Sequence, residues 1–128
     1  MFLRFVVNEI DPDSGRRREI IHAAAELRDG HAISPDDRSR LRALMCWFDE
    51  HLERPERFNV SARPRARATA LSWFKDSAKD HVARAWEIAE VLAAYGVRVE
   101  VLRTKRPGYT AYEDEHQIIA HPFSDTPT

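Results

Sequence analysis

Alternation opens the chain. Leu3, Phe5 and Val7 fall on one side of an extended backbone, and Phe2, Val6 and Ile10 on the other. Both sides are largely apolar, so residues 2–10 predict a strand interior to a sheet. Asp11-Pro12-Asp13-Ser14-Gly15 is turn chemistry, and Pro12 cannot continue a central strand. The period then lengthens. Ile20, Ala24 and Leu27, with Ile21 beside them, predict a helix over 16–29, capped by Asp13 or Ser14 and closed by Gly30. Ser34 as N-cap, Pro35 at the first helical position and the acidic pair Asp36-Asp37 predict a second helix. Its stripe is Leu41, Leu44, Met45, Phe48 and Leu52. The short link makes the two an αα-hairpin. Residues 54–65, with Pro55 and Pro64, read as an ordered surface loop. Leu71, Phe74, Ala78, Val82, Ala85, Ala89 and Leu92 then step by three or four, predicting one long helix over 66–95 that Gly96 ends.

The remainder returns to alternation. Val97, Val99 and Val101 alternate with Arg98 and Glu100, a half-buried strand. Lys105-Arg106-Pro107-Gly108 reads as a turn. Tyr109 to Glu113 and His116 to His121 read as two further strands joined across Asp114-Glu115, which lacks the Asn-Gly or Asp-Gly of tight hairpins. Pro122 ends pairing, and 124–128 reads as a frayed tail behind a single domain over 1–123. The order β-α-α-α-β-β-β implies an α+β fold in two layers. The expected sheet is four-stranded and mostly antiparallel, with the helices packed on one face.

Length and composition agree with a single globular domain. A chain of 128 residues, 43% hydrophobic and 32% charged, can bury a core without staples. Cys46 is the only cysteine, so no intramolecular disulfide forms, which suits a reducing compartment. The apolar start is interrupted by Arg4 and is too short for a signal peptide, and no run approaches a membrane span. The expectation is a cytoplasmic protein that does not engage membranes. Net charge is −1, but it is segregated: residues 1–53 carry −3, 54–106 carry +6 and 107–128 carry −4. Such blocks pair with one another in a fold or form a recognition surface.

Candidate chemistry is sparse. Glu113-Asp114-Glu115-His116, with His121 nearby, suggests a metal site or an acid–base pair, against the plainer reading of a charged turn guarding an edge strand. On a continuous strand, positions 116 and 121 face opposite sides, so no metal is expected there. His22, His31, His51 and His81 lie on or beside helices without a metal-binding spacing, and read as surface or boundary residues. Ser72-Trp73-Phe74-Lys75 has the S-x-x-K spacing of penicillin-binding proteins but none of the companion segments. Cys46 lacks a neighbouring base and reads as a buried or boundary thiol. With four glycines and no phosphate loop, no nucleotide cofactor is expected. The Arg16-Arg17-Arg18 run and the group Arg57, Arg63, Arg65 and Arg67 could meet phosphates, although no nucleic-acid-binding motif accompanies them. Tyr109 and Tyr112 have opposite parity, which puts one of them on the outer sheet face beside Glu113.

At Leu71-Ser72-Trp73-Phe74-Lys75-Asp76 and at Pro107 to Gln117 the chain resembles a set of small bacterial proteins without an assigned function. The resemblance implies a stand-alone bacterial domain. It brings no activity, cofactor or site residue.

Three readings follow. The first is a non-enzymatic protein-interaction module, an adaptor or inhibitor, with an anti-CRISPR or other mobile-element protein as its narrow form. Its contact surface is Tyr109, Tyr112, Glu113, Asp114 and Glu115, with the arginine loop second. The next is a small enzyme using Glu113, Asp114, Glu115 and His116. The last is a nucleic-acid binder using Arg57, Arg63, Arg65 and Arg67. An exposed edge strand is compatible with a homodimer in each case.

Overall fold

The computed structural model describes residues 1–55 and 69–128. At its centre is β1 (Phe2–Ile10), the strand with apolar side chains on both faces. Along one side, β4 (Val99–Thr104) pairs with it from Phe2↔Thr104 to Val7↔Val99. Two strands share the other side. β3 (Leu71–Lys75) takes Phe2 and Leu3, and β2 (Arg17–Glu19) takes Val6 and Ile10 across a register irregularity. β3 also pairs with β6 (Gln117–His121), and β6 with β5 (Tyr109–Glu113). Every pairing is antiparallel. The order is β4-β1-β3-β6-β5, with β2 running beside the second half of β1.

Three helices complete the α+β fold among the described residues: α1 (Ile20–Asp29), α2 (Pro35–His51) and α3 (Lys79–Ala94). They bury their stripes on the face carrying Leu3, Phe5 and Val7. Ile20, Ala24, Leu41, Phe48, Ile88 and Leu92 belong to this core. The α2 start follows its sequence signals: Ser34 Oγ accepts from Asp37 N at 3.2 Å, and Pro35 stands at N1. Gly96, at φ 80°, ends the α3 segment as expected. The opposite sheet face has a smaller core of Val6, Leu71, Trp73, Leu102 and Ile118, packed with Phe2.

Among the described residues the sheet has six strands where four were expected, and both additions lie in segments expected to be helix. Residues 17–19 pair with β1, so α1 begins at Ile20 and Asp13 and Ser14 do not cap it. Those two residues shape the preceding turn: Asp13 N donates to Asp11 Oδ1 and Arg16 N to Ser14 Oγ. The long helix expected over 66–95 is replaced in its first part by β3. Leu71 and Trp73 enter the small core while Phe74 packs against the large one, a period of two. Leu71, Phe74 and Ala78 also satisfy a spacing of three and four, so the apolar pattern there fits both elements. The vacancy between β1 and β6 decides for the strand, because β3 supplies hydrogen-bond partners to both neighbours.

β4 and β5 run in the same sense at opposite edges, so Lys105 to Gly108 is a crossover and not the expected local turn. Pro107 is buried, and Gly108 at φ 137° lies against the His121–Pro122 backbone. Beyond β6, Thr126 Oγ1 donates to Arg106 O at 3.0 Å and Arg17 Nε donates to Thr128 O at 3.2 Å. No described helix is long and apolar enough to cross a membrane.

Candidate functional site

The acidic turn between β5 and β6 is built around one carboxylate. Asp114 accepts from His116 N at 2.8 Å, Gln117 N at 3.1 Å, Gln117 Nε2 at 3.1 Å and the Tyr112 hydroxyl at 2.9 Å. Burial works against its ionisation, and these bonds outweigh it, so the carboxyl titrates below its ordinary range. Glu113 points elsewhere and pairs with Lys75 at 2.7 Å, while Glu115 is exposed. The four residues of the cluster therefore do not converge on one pocket: Asp114 holds the turn that an Asn-Gly sequence would otherwise supply.

The two tyrosines change their relation. Tyr109 is opposite His121 and Tyr112 is opposite Ile119, with a bulge between Thr110 and Tyr112 that absorbs Ala111. The extra residue cancels the odd spacing, so both tyrosines share one face, contrary to the parity expectation. Tyr109 is 53% exposed and packs edge-on to Phe123 at 4.6 Å. β5 is the last strand of the sheet, paired among the described residues with β6 alone.

A second group was not anticipated from spacing. His51, His81 and His116 gather with Trp47 where the C-terminus of α2, the start of α3 and the β5–β6 turn meet. His81 stacks on His116 at 4.3 Å and meets Trp47 edge-on at 4.8 Å, while His51 stacks on Trp47 at 4.3 Å. Arg84 lies over the other indole contact, 3.9 Å from the Trp47 ring centre. His81 is 4% exposed and donates from Nε2 to His51 O at 2.8 Å. Burial lowers its pKa; the bond to the His51 carbonyl opposes the shift, and His116 and His51 add to it. His81 is therefore a core residue and not the surface or boundary residue expected. The three residues are far apart in the chain and only tertiary packing joins them, so no local signal marks the group. No described set of three His, Cys, Asp or Glu residues has metal-binding geometry. His116 precedes β6 and belongs to this group, whereas His121 closes the strand beside Thr69.

A cavity of about 640 Å³ opens between α1, α2 and the sheet. Phe5, Phe48, Phe74, Met45 and Ile119 give it apolar walls, and Arg4, Glu19, Ser72, Gln117, Arg28 and Asp49 give it polar ones. Its volume lies in the range of small-molecule sites, roughly 300–1,000 Å³. Cys46 is outside it and exposed, not the buried or boundary thiol expected; Sγ lies 3.6 Å from Glu50 Oε1, and that carboxylate raises the thiol pKa. Arg57, Arg63, Arg65 and Arg67 lie outside the described residues.

Comparison with protein-family models, with curated proteins and with solved structures finds no match to this chain.

Proposed function

We propose that the chain is a small non-enzymatic protein-interaction module, an adaptor or inhibitor, that binds its partner along the outer edge of β5. The observation that supports this reading is the terminal position of β5 combined with the bulge that puts Tyr109 and Tyr112 on one face. A terminal strand offers backbone donors and acceptors to an added strand, and neighbouring side chains supply selectivity. Tyrosine is enriched at such contacts because it combines a large apolar area with a polar tip. The opposite edge is less suited to the role. β4 carries Glu100 and Arg103 exposed along its length, a pattern that protects edges from pairing. A bacterial, cytoplasmic setting and an inhibitor encoded by a mobile element belong to the same proposal, as does edge-to-edge pairing of two copies.

The enzyme reading has less support, since Glu113, Asp114, Glu115 and His116 are engaged separately in a salt bridge, a turn, solvent and a ring stack. The test is affinity capture from the native host with the full chain and with the Tyr109→Arg and Glu113→Arg variants, followed by reconstitution with the purified partner. Both substitutions are on exposed side chains, so equal melting curves confirm that the fold is intact. The proposal expects a partner that binds the parent chain and is lost from both variants. A partner set that is empty, or identical in parent and variants, refutes it.

A further inference from the structure

Three buried nitrogen donors have no acceptor among the described residues, and the β5 surface makes no use of them. Arg4 is 3% exposed. Its Nη2 donates to Arg17 O at 2.7 Å, but Nε and Nη1 have no hydrogen-bond partner among the described residues. Trp73, 1% exposed, likewise leaves its indole Nε1–H without one. Arg4 and Trp73 are the next residues beyond the last β1–β3 pair, Leu3↔Phe74, and alternation directs both side chains to the same sheet face. The strands part at this point, because β1 leaves β3 and takes up β2.

Glu19 stands in the resulting gap. Its Oε1 lies 3.4 Å from Ser72 N and 3.8 Å from Arg4 Nε. The second distance is that of an ion pair without a hydrogen bond. The positive charge is left under-compensated: burial lowers the Arg4 pKa, Glu19 and Asp11 only partly offset that, and Arg17 adds to it. The cavity reaches this gap, with Arg4, Glu19, Ser72 and Trp73 in its wall, and continues between apolar side chains toward α1 and α2. Buried donors of native proteins find an acceptor in protein, water or ligand. Water brings two hydrogens, for which Glu19 is the acceptor in the gap, whereas a carboxylate brings acceptors only. Nε and Nη1 lie on opposite flanks of the guanidinium, so a carboxylate takes one of them together with the second N–H of Nη2.

We propose that the gap between β2 and β3 is the carboxylate-binding end of a pocket for a small organic acid, with the carboxylate on Arg4 and Trp73 and the apolar body between the sheet and the helices. This site is independent of the β5 edge and stands or falls separately from it.

The test titrates the full chain with octanoate and benzoate, with octanol and benzyl alcohol as neutral counterparts and inorganic phosphate as an anion without an apolar body. A bound acid at ten times Kd raises the melting temperature by about 5 °C. The proposal expects that rise for at least one acid, none for its alcohol or for phosphate, and loss of the effect in Arg4→Met. NMR of the parent chain provides a readout that does not require the variant to fold: the Trp73 indole Nε1–H resonance moves with the acid and not with the alcohol. Absence of a response to both acids, an equal response to the alcohols or to phosphate, or a response retained in Arg4→Met overturns the proposal.

Discussion

Replacing Gly108 by Ala tests the crossover that carries the chain from β4 to β5. Gly108 adopts φ 137°, a region almost confined to glycine. A Cβ built there lies 1.8 Å from His121 O, 2.5 Å from His121 C and 2.9 Å from Pro122 Cα. All three are backbone atoms at the end of β6, so no side-chain rotation relieves the clash. Backbone strain of about 1–3 kcal/mol adds to a steric cost of similar size, for a total of roughly 4 kcal/mol. A chain of 128 residues has an unfolding entropy of about 0.27 kcal/mol/K, so the loss corresponds to about 15 °C in Tm. Gly15 supplies the control. Its φ of 70° is also positive, but nothing lies within 4 Å of its added Cβ. Gly15→Ala therefore costs only about 1 kcal/mol, or about 4 °C. Urea unfolding followed by circular dichroism measures both. If the two variants lose equal stability, the close approach of Gly108 to the His121–Pro122 backbone is refuted.

Other consequences can be measured on the same material. His81 has a folded pKa below its ordinary 6.5, so the unfolded chain takes up the proton first; stability is full above pH 6.5 and falls as pH drops through the window below it. Urea midpoints at pH 7 and pH 5 should show that loss, and His81→Phe should flatten it between those values. Asp114 is also depressed, from 3.8, so its contribution is present above that pH and disappears only at stronger acid. Asp114→Ala removes the acceptor of four hydrogen bonds and should cost about 2 kcal/mol by urea unfolding; a loss under about 0.5 kcal/mol would contradict its place at the centre of the turn. The Cys46 thiol is held up by Glu50, so Glu50→Gln should speed its alkylation by iodoacetamide at pH 7.5, and an unchanged rate would exclude that coupling.

Some of this protein was determined by sequence alone. Local chemistry specified β1, because alternation with both faces apolar suits only an interior strand, and it specified α2, because Ser34 and Pro35 meet requirements confined to a helix start. Alternation bounded by turns also made strands legible at 97–101, 109–113 and 116–121, which overlap β4, β5 and β6 with ends shifted by up to three residues. Tertiary structure decided β2 and β3. β3 satisfies a helical spacing as well as an extended one, whereas β2 is three charged residues with no periodicity of its own. Open hydrogen-bonding sides on β1 and β6 selected the strand in both. It also decided the sites. The Tyr109–Tyr112 face depends on a bulge that adds one residue to the count, and parity cannot foresee an insertion. Arg4, one polar residue in an apolar strand, was legible only as an interruption. Its meaning depends on Trp73, Glu19 and Ser72, which are distant in the chain and adjacent only because β1 exchanges one partner strand for another at that point.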